Sequence, residues 1–260
     1  MAATNNWTRQ QLLVAFALYC QMPYGKMHSR NPEIIKIAEQ IGRTPSALAM
    51  KLTNIASLDP EITSTGRTGL RGASSADKSM WDEMQGDWEG FAVKSGEAMR
   101  VALQGTEIPS LEIDEEEIDY SGKDKVVITT ARDGQRFFRN SVLSAYDFKC
   151  CISGLANPRL LVASHIVPWR NEVSNRLNPA NGLSLSVLHD KAFDIGLITI
   201  NEDMTVRVSK KSLDELDYFY RDTILSYEGK PISLPEKFFP KLEFLAYHRA
   251  EVFEKPRRSR

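Results

Sequence analysis

Apolar residues recur at helical spacing through the first 60 positions of the chain and predict three helices. Each helix begins at a polar residue that can cap a helix N-terminus, namely Thr8, Asn31 and Thr44. Gly42 stands between the second and third apolar stretches, where a residue in the left-handed region can end a helix. Residues 1–60 are therefore predicted to form a helical region.

The second and third of these helices have helix-turn-helix proportions. In this interpretation the third helix presents polar and basic side chains outward, Lys51 among them, where they could contact DNA. A plain three-helix bundle that packs on the rest of the chain gives the same pattern. Both interpretations remain open at this point.

Residues 61–124 have the composition of a linker that contains one helix. Gly, Ser and Thr are frequent in 60–76, and 107–124 are strongly acidic, as expected of a solvated connection. Between them, apolar residues spaced by three and four positions predict a helix near 77–100 with a buried stripe of Trp81, Met84, Trp88 and Phe91. The boundary to a second domain, 125–260, is placed in the acidic stretch.

The second domain is predicted to begin with a helix from about residue 129. Phe138, Val142 and Ala145 share its apolar face. Another face carries a basic stripe of Arg132, Arg136 and Arg139. Such a stripe can bind phosphates, and it is equally typical of an ordinary solvated helix face.

Residues 160–195 predict a strand, a polar loop, a second strand and a short helix. The first strand, Leu160–Ser164, ends at His165, and Asn181-Gly182 leads into the second strand, Leu183–Val187. The helix covers His189–Ile195 and is followed by a predicted hairpin over 197–209. Further helices are predicted over Leu213–Tyr220 and Pro240–Phe253. This order brings His165, Asn181 and the His189-Asp190 pair into one small unit.

Three blocks of this unit carry a family resemblance: Ala163–Trp169, Arg176–Leu183 and Leu188–Ile198. In this order, with Pro-Trp, Asn-Gly-Leu and Phe-Asp-x-Gly-Leu-Ile inside them, they resemble the HNH endonucleases, which share the ββα-metal fold. The closest similarity is to a branch that includes predicted bacterial restriction endonucleases. The resemblance implies an α+β protein, with a mainly helical N-terminal region followed by a ββα-metal nuclease domain.

The resemblance also implies roles for individual residues. His165 would be the general base, Asn181 would orient its imidazole, and the helix would supply the catalytic and metal-binding group at His189 or Asp190. Adjacent helix positions lie about 100° apart, so the two side chains are not expected to face one ion. The spacing from Asn181 favours Asp190 as ligand and the family name favours His189. Ser164 departs from the Asp or His that many relatives have before the base.

The implied cofactor is a divalent metal ion, Mg²⁺ or Mn²⁺. No structural zinc is expected, because the three cysteines, Cys20, Cys150 and Cys151, lack the paired spacing of such sites. Arg176 could either reach a phosphate or brace the loop, and the sequence does not separate these roles.

The distribution of charge along the chain fits a polyanionic partner, and it fits equally well basic and acidic parts that neutralise each other within one fold. Net charge is +4 over residues 1–72, −10 over 73–120 and +5 over 121–260. Double-stranded DNA is the expected partner, and a homodimer is expected if both strands are cut. The N-terminus has no leader pattern and no apolar stretch is long enough for a membrane span, so the expected location is the cytoplasm.

The resemblance and these features together predict a metal-dependent DNA endonuclease, and the resemblance implies that it restricts foreign DNA. Two alternatives remain open on the sequence. One is a DNA-binding regulator whose nuclease unit has decayed, in line with Ser164, and the other is a toxin or effector nuclease without sequence preference.

Overall fold

The computed structural model describes residues 6–67, 72–103, 123–169, 171, 174–210 and 218–255. Most of the acidic stretch, most of the helix predicted over Leu213–Tyr220 and the basic end of the chain lie outside these ranges. The described part is an α+β structure of helices and two separate antiparallel strand pairs. Among its helices, none has both the length and the apolar character needed to cross a membrane.

The N-terminal helices begin and end where the sequence predicts. In α1 (Arg9–Gln21), Thr8 and Gln11 form a reciprocal capping box. Asn31 caps α2 (Pro32–Gln40) and Thr44 caps α3 (Pro45–Ala56), while Gly42 has a φ of 67° in the turn between them. Nine consecutive residues of α1, Leu12–Cys20, are buried. A helix buried on every side is a core element, and α1 is surrounded by α3 and by helices that follow later in the chain.

The prediction of a single helix near 77–100 is wrong, because the structure has two helices there. After the short α4 (Pro60–Thr63), α5 (Ser75–Gly86) ends at Asp87 and α6 (Trp88–Ala102) begins. The Asp87 side chain accepts a hydrogen bond from the Gly90 backbone N–H at 2.8 Å and so caps the new helix. The predicted buried stripe is confirmed for Met84, Trp88 and Phe91, and Trp81 is half-buried.

Lys51 does not face outward, so that part of the helix-turn-helix interpretation is wrong. Its side chain is buried and its Nζ lies 2.7 Å from Oδ1 of Asp77, which is itself buried at the start of α5. The Lys51 ammonium also lies 5.0 Å from the centre of the Trp7 ring. The ion pair therefore joins α3 to α5 inside the helical region and is not available to DNA.

Helix α7 (Lys123–Ala145) connects the N-terminal helices to the rest of the chain. Phe137 on one side contacts Phe91 and Trp88 of α6, with ring centres 5.9 Å and 6.4 Å away. Ser144 donates a hydrogen bond to the Cys20 carbonyl at the end of α1, at 3.0 Å. Buried side chains on both sides of the predicted domain boundary therefore join in one core.

The predicted face of Phe138, Val142 and Ala145 is buried, as expected, and packs against the strand–loop–strand–helix unit. That unit consists of β1 (Leu161–His165), β2 (Gly182–Ser186) and α8 (Val187–Asp194). The predicted hairpin follows as β3 (Ile198–Ile200) and β4 (Val206–Val208), and α9 (Tyr218–Thr223) and α10 (Leu242–Glu251) come last.

A stability measurement tests the buried ion pair. Replacing Lys51 by Met leaves the Asp77 carboxylate buried without its cation, which costs about 3–5 kcal/mol. Lys78→Met on the exposed side of α5 is the matched control, and its effect is expected to stay within about 0.5 kcal/mol. Urea unfolding of the three proteins gives the comparison. Equal stability of the two variants would contradict a structural role for the pair.

Candidate active site

The end of β1 lies directly against α7 because a glycine faces it. In the antiparallel pair, His165 lies opposite Gly182, the first residue of β2. A Cβ atom at Gly182 would come within 2.4 Å of Val142 Cγ2 and 3.0 Å of Phe138 Cζ. Only a residue without a side chain allows β2 to approach α7 this closely. This approach brings the Phe138 ring to the His165 imidazole.

Three contacts hold the His165 ring. Phe138 stacks on it in parallel, with ring centres 4.0 Å apart and planes 7° apart, and Trp169 meets it edge-on at 5.5 Å. The His165 Nε2 atom lies 2.9 Å from the Arg176 carbonyl oxygen. A carbonyl can only accept a hydrogen bond, so Nε2 carries the proton and Nδ1 presents a lone pair. Burial lowers the pKa of His165, and the Arg176 carbonyl offsets part of that shift.

Arg176 braces the loop between the two strands. Its Nε donates to the Trp169 carbonyl at 2.8 Å, and its guanidinium lies 5.2 Å from the centre of the Trp169 ring. Its own carbonyl holds His165. These contacts favour the bracing role over a free phosphate ligand, since the side chain is half-buried and already bonded.

Asn181 fixes the same loop from inside. The side chain is 1% exposed, and its Oδ1 accepts from the Val167 N–H at 2.8 Å. Its Nδ2 donates to the carbonyls of Val167 and Asn175, at 3.3 Å and 3.2 Å. Asn181 thus joins the chain just after His165 to the chain just before β2, and it makes no direct contact with the imidazole among these bonds.

His189 and Asp190 point in different directions from α8. His189 is buried, with Nε2 at 2.9 Å from the Thr223 carbonyl and Nδ1 at 3.0 Å from Ser186 Oγ. Both of its ring nitrogens are therefore used inside the protein. Asp190 is half-buried and faces Ser164 on β1, the neighbour of His165. The structure places Asp190, and not His189, beside the end of β1.

Cys150 contributes to the interior surroundings of His189. The Cys150 Sγ lies 3.4 Å from His189 Nδ1. Burial opposes ionisation of this thiol, but hydrogen bonds from His189 and Ser153 outweigh burial and lower its pKa to about 6. The interaction with Cys150 and the Thr223 carbonyl outweighs burial at His189 as well and raises its pKa. His189 and Cys150 form a buried polar pair beneath α8.

The donors around Asp190 fit a hydrated hard cation. Burial raises the pKa of Asp190, while Ser164 and Lys191 offset part of the rise. The Ser164 hydroxyl is buried beside Asp190, so a second oxygen lies next to the carboxylate. Across the described residues, no cluster of three His, Cys, Asp or Glu side chains could hold a metal. Mg²⁺ needs no such cluster, because it keeps several waters and binds through one or two carboxylates and substrate phosphates.

The predicted basic stripe divides into two parts. Arg132 and Arg136 are exposed on α7, whereas Arg139 is half-buried and donates to the Pro158 carbonyl at 3.2 Å. Burial lowers the pKa of Arg139. The exposed pair lies on the helix that carries Phe138. Lys51 lies apart from this site, inside the helical region.

The sequence did not reveal the group that stacks on His165. Phe138 was recognised only as part of a buried face, and its partner lies 27 positions later in the chain. The role of the Arg176 carbonyl was also missed, because a backbone atom leaves no signal in residue type. The absence of a side chain at Gly182, opposite a histidine at a strand end, was the one signal that could have indicated close packing there.

Comparison with known proteins agrees with the geometry. No curated protein matches the chain. The family model described as HNH endonuclease matches residues 150–201, the segment that contains β1, β2 and α8. His165, Asn181, His189 and Asp190 all fall within the match, and the arginines of α7 and Lys51 fall outside it. Residues 150–201 are therefore an HNH endonuclease domain, a kind of domain found in nucleases that act on DNA.

Proposed function

We propose that the protein is a metal-dependent DNA endonuclease that restricts foreign DNA, with His165 as its general base. The observation that carries the proposal is the hydrogen bond from His165 to the Arg176 carbonyl, which leaves Nδ1 free to take a proton. The lowered pKa keeps that nitrogen unprotonated near pH 7. In hydrolysis, a water oxygen attacks phosphorus and its proton passes to Nδ1. The bond from phosphorus to the 3′ oxygen breaks, and that oxygen leaves with the bonding electrons and takes a proton from solvent water.

Asp190 is the proposed metal ligand, with the Ser164 hydroxyl beside it. A bound Mg²⁺ or Mn²⁺ would supply positive charge to the scissile phosphate and to the leaving oxygen. Ser164 and His165 are consecutive on β1, and neighbouring strand positions point to opposite faces. The base thus approaches from the α7 side and the carboxylate from the α8 side of one strand end. His189 is proposed to orient α8 without binding the ion.

Asn181 and Arg176 are proposed as positioning residues, because their contacts hold the loop and the imidazole. Arg132 and Arg136 are proposed to bind backbone phosphates of double-stranded DNA. A homodimer would place two such sites on the two strands. The restriction role rests on the similarity of the three sequence blocks, and a cytoplasmic location is proposed with it.

A cleavage assay tests the general base. His165→Ala is expected to lower the rate of plasmid and phage DNA cleavage about 100- to 10,000-fold, the usual contribution of a general base. His28→Ala, at an exposed histidine in the N-terminal region, is the matched control and is expected to cleave like wild type. Discrete fragments would support restriction, and uniform degradation would favour the nonspecific nuclease. Equal cleavage by both variants would overturn the role of His165.

Metal dependence separates the two candidate ligands. Asp190→Asn is expected to raise the Mn²⁺ concentration at half-maximal cleavage and to lower the rate about 100-fold or more, since a bound cation supplies several kcal/mol. His189→Gln is expected to lower the melting temperature, because it disrupts buried hydrogen bonds, and to leave the Mn²⁺ midpoint unchanged. The reverse pattern would show that His189 binds the ion.

The dependence of the cleavage rate on pH reports the protonation state of His165. Cleavage is expected to fall as pH decreases through the His165 pKa, which burial holds below 6.5, because the protonated ring cannot accept the proton from water. Phe138→Leu opens the ring to water and is expected to move this acidic limb to higher pH. The rate is measured between pH 4.5 and 8 for both proteins. A limb that moves to lower pH would show that the stacked ring favours the imidazolium instead.

A further inference from the structure

A cleft of about 330 Å³ opens where three parts of the chain meet. One wall belongs to the N-terminal helices, a second to the turn before β2, and a third to residues 238–241. Binding clefts in proteins have volumes of about 300–1,000 Å³ and occur preferentially between structural units. The cleft is separate from the residues proposed for hydrolysis, and the mechanism above makes no use of it.

Four aromatic residues are among those that line the cleft. Trp88 and Phe238 are nearly buried, with 5% and 6% of their surface exposed, and Trp81 and Phe239 are half-buried. Phe238 has a φ of 59°, in the left-handed region that a bulky residue rarely adopts. The two half-buried rings, Trp81 and Phe239, are the ones that leave surface on which a planar ligand could stack.

The polar groups of the cleft favour a ligand that donates hydrogen bonds. Among the residues that line the cleft, the charged ones are two carboxylates, Asp59 and Glu61, and one lysine, Lys241. Asp59 is buried and already accepts from the Tyr19 hydroxyl and the Glu61 N–H. Glu61 is half-buried and accepts hydrogen bonds from the backbone N–H groups of Phe239, at 3.0 Å, and of Phe238. A carboxylate has about four lone-pair sites, so Glu61 can also accept from a ligand. This excess of negative charge disfavours a phosphate and favours an amino group.

We infer that this cleft binds an adenine or cytosine base of the substrate DNA, taken out of the base stack. The aromatic rings would stack on the base, and Glu61 would accept from its exocyclic amino group. Gln85 at the rim carries an amide that can donate to the adjacent ring nitrogen. Thymine presents a carbonyl oxygen at the position of that amino group, so its negative edge would meet Glu61.

The position of the cleft connects base binding to the nuclease site. Asn178 and Ala180 line it, and they lie in the turn that leads to Asn181. Asn181 in turn holds the chain after His165. A base in the cleft would therefore set the register of the DNA strand relative to His165. This inference deepens the proposed function and rests on it, because it assumes that DNA is the substrate.

Binding of single-stranded oligonucleotides tests the inference without the cost of opening a duplex. Labelled dA, dC and dT homopolymers of about 12 nucleotides are titrated with the full-length protein in EDTA, and anisotropy is read. We expect the dA and dC oligonucleotides to bind at least about fivefold more tightly than the dT oligonucleotide. This factor corresponds to the lower end of the binding free energy of one base–aromatic stack. Phe239→Ala is expected to weaken dA and dC binding by a similar factor and to leave dT binding unchanged.

Glu61→Gln tests the hydrogen bond separately from packing. The glutamine side chain keeps an oxygen that can accept from the Phe239 N–H. The Glu61→Gln variant is therefore expected to fold even if the Phe239→Ala variant does not. We expect Glu61→Gln to reduce the preference for dA and dC over dT, and Glu39→Gln, at an exposed position of α2, to preserve it. Equal affinity of wild type for the three oligonucleotides, or an unchanged preference in folded Glu61→Gln, overturns the inference.

Failure of this inference and failure of the proposed function give different results. Base preference that depends on Glu61, in a protein that cleaves no DNA with Mg²⁺ or Mn²⁺, supports the cleft and contradicts the nuclease. Cleavage that depends on His165, without base preference, supports the nuclease and overturns the cleft.

Discussion

The burial of α7 on two sides is the constraint on which the rest of the structure depends. Phe137 packs into the aromatic cluster of the N-terminal helices, and its neighbour Phe138 stacks on the His165 imidazole. Adjacent helix positions diverge by about 100°, so a single helix can serve two partners. Gly182 then allows the strand pair to lie against this helix. The surface of α7 on which the nuclease unit packs is therefore held in place by the helical region.

The active site separates the tasks of its polar groups by burial and direction. His165 has one nitrogen fixed by a carbonyl and one left for chemistry, and burial keeps the ring neutral. Asp190 lies across the end of β1 beside the Ser164 hydroxyl. His189 is only one residue away along α8, yet it is used for internal hydrogen bonds. This division is the reason that Asp190, and not His189, is the metal ligand in the proposed function.

The sequence predicted the features that depend on neighbouring residues. It did not predict the contacts between residues that are far apart in the chain. The caps at Thr8 and the turn at Gly42 depend on residues within four positions, so the sequence alone predicts them. Lys51 was assigned to the surface because its helical face is polar, and its partner Asp77 lies 26 positions later. The direction of His189 depends on the Thr223 carbonyl, 34 positions away. The order of strands and helix in the nuclease unit could be predicted, whereas the contacts that orient its side chains could not.

The shared helix also bears on how such a protein can be recombined. A chimaera joined before α7 would bring the helical region of one nuclease against the Phe137 surface of another, and the two aromatic clusters would have to match. A truncated chain that starts at α7 would leave that surface in water, where exposed apolar patches promote association. The natural exchangeable segment of this chain is therefore larger than its catalytic unit, and it includes the helices on which α7 rests.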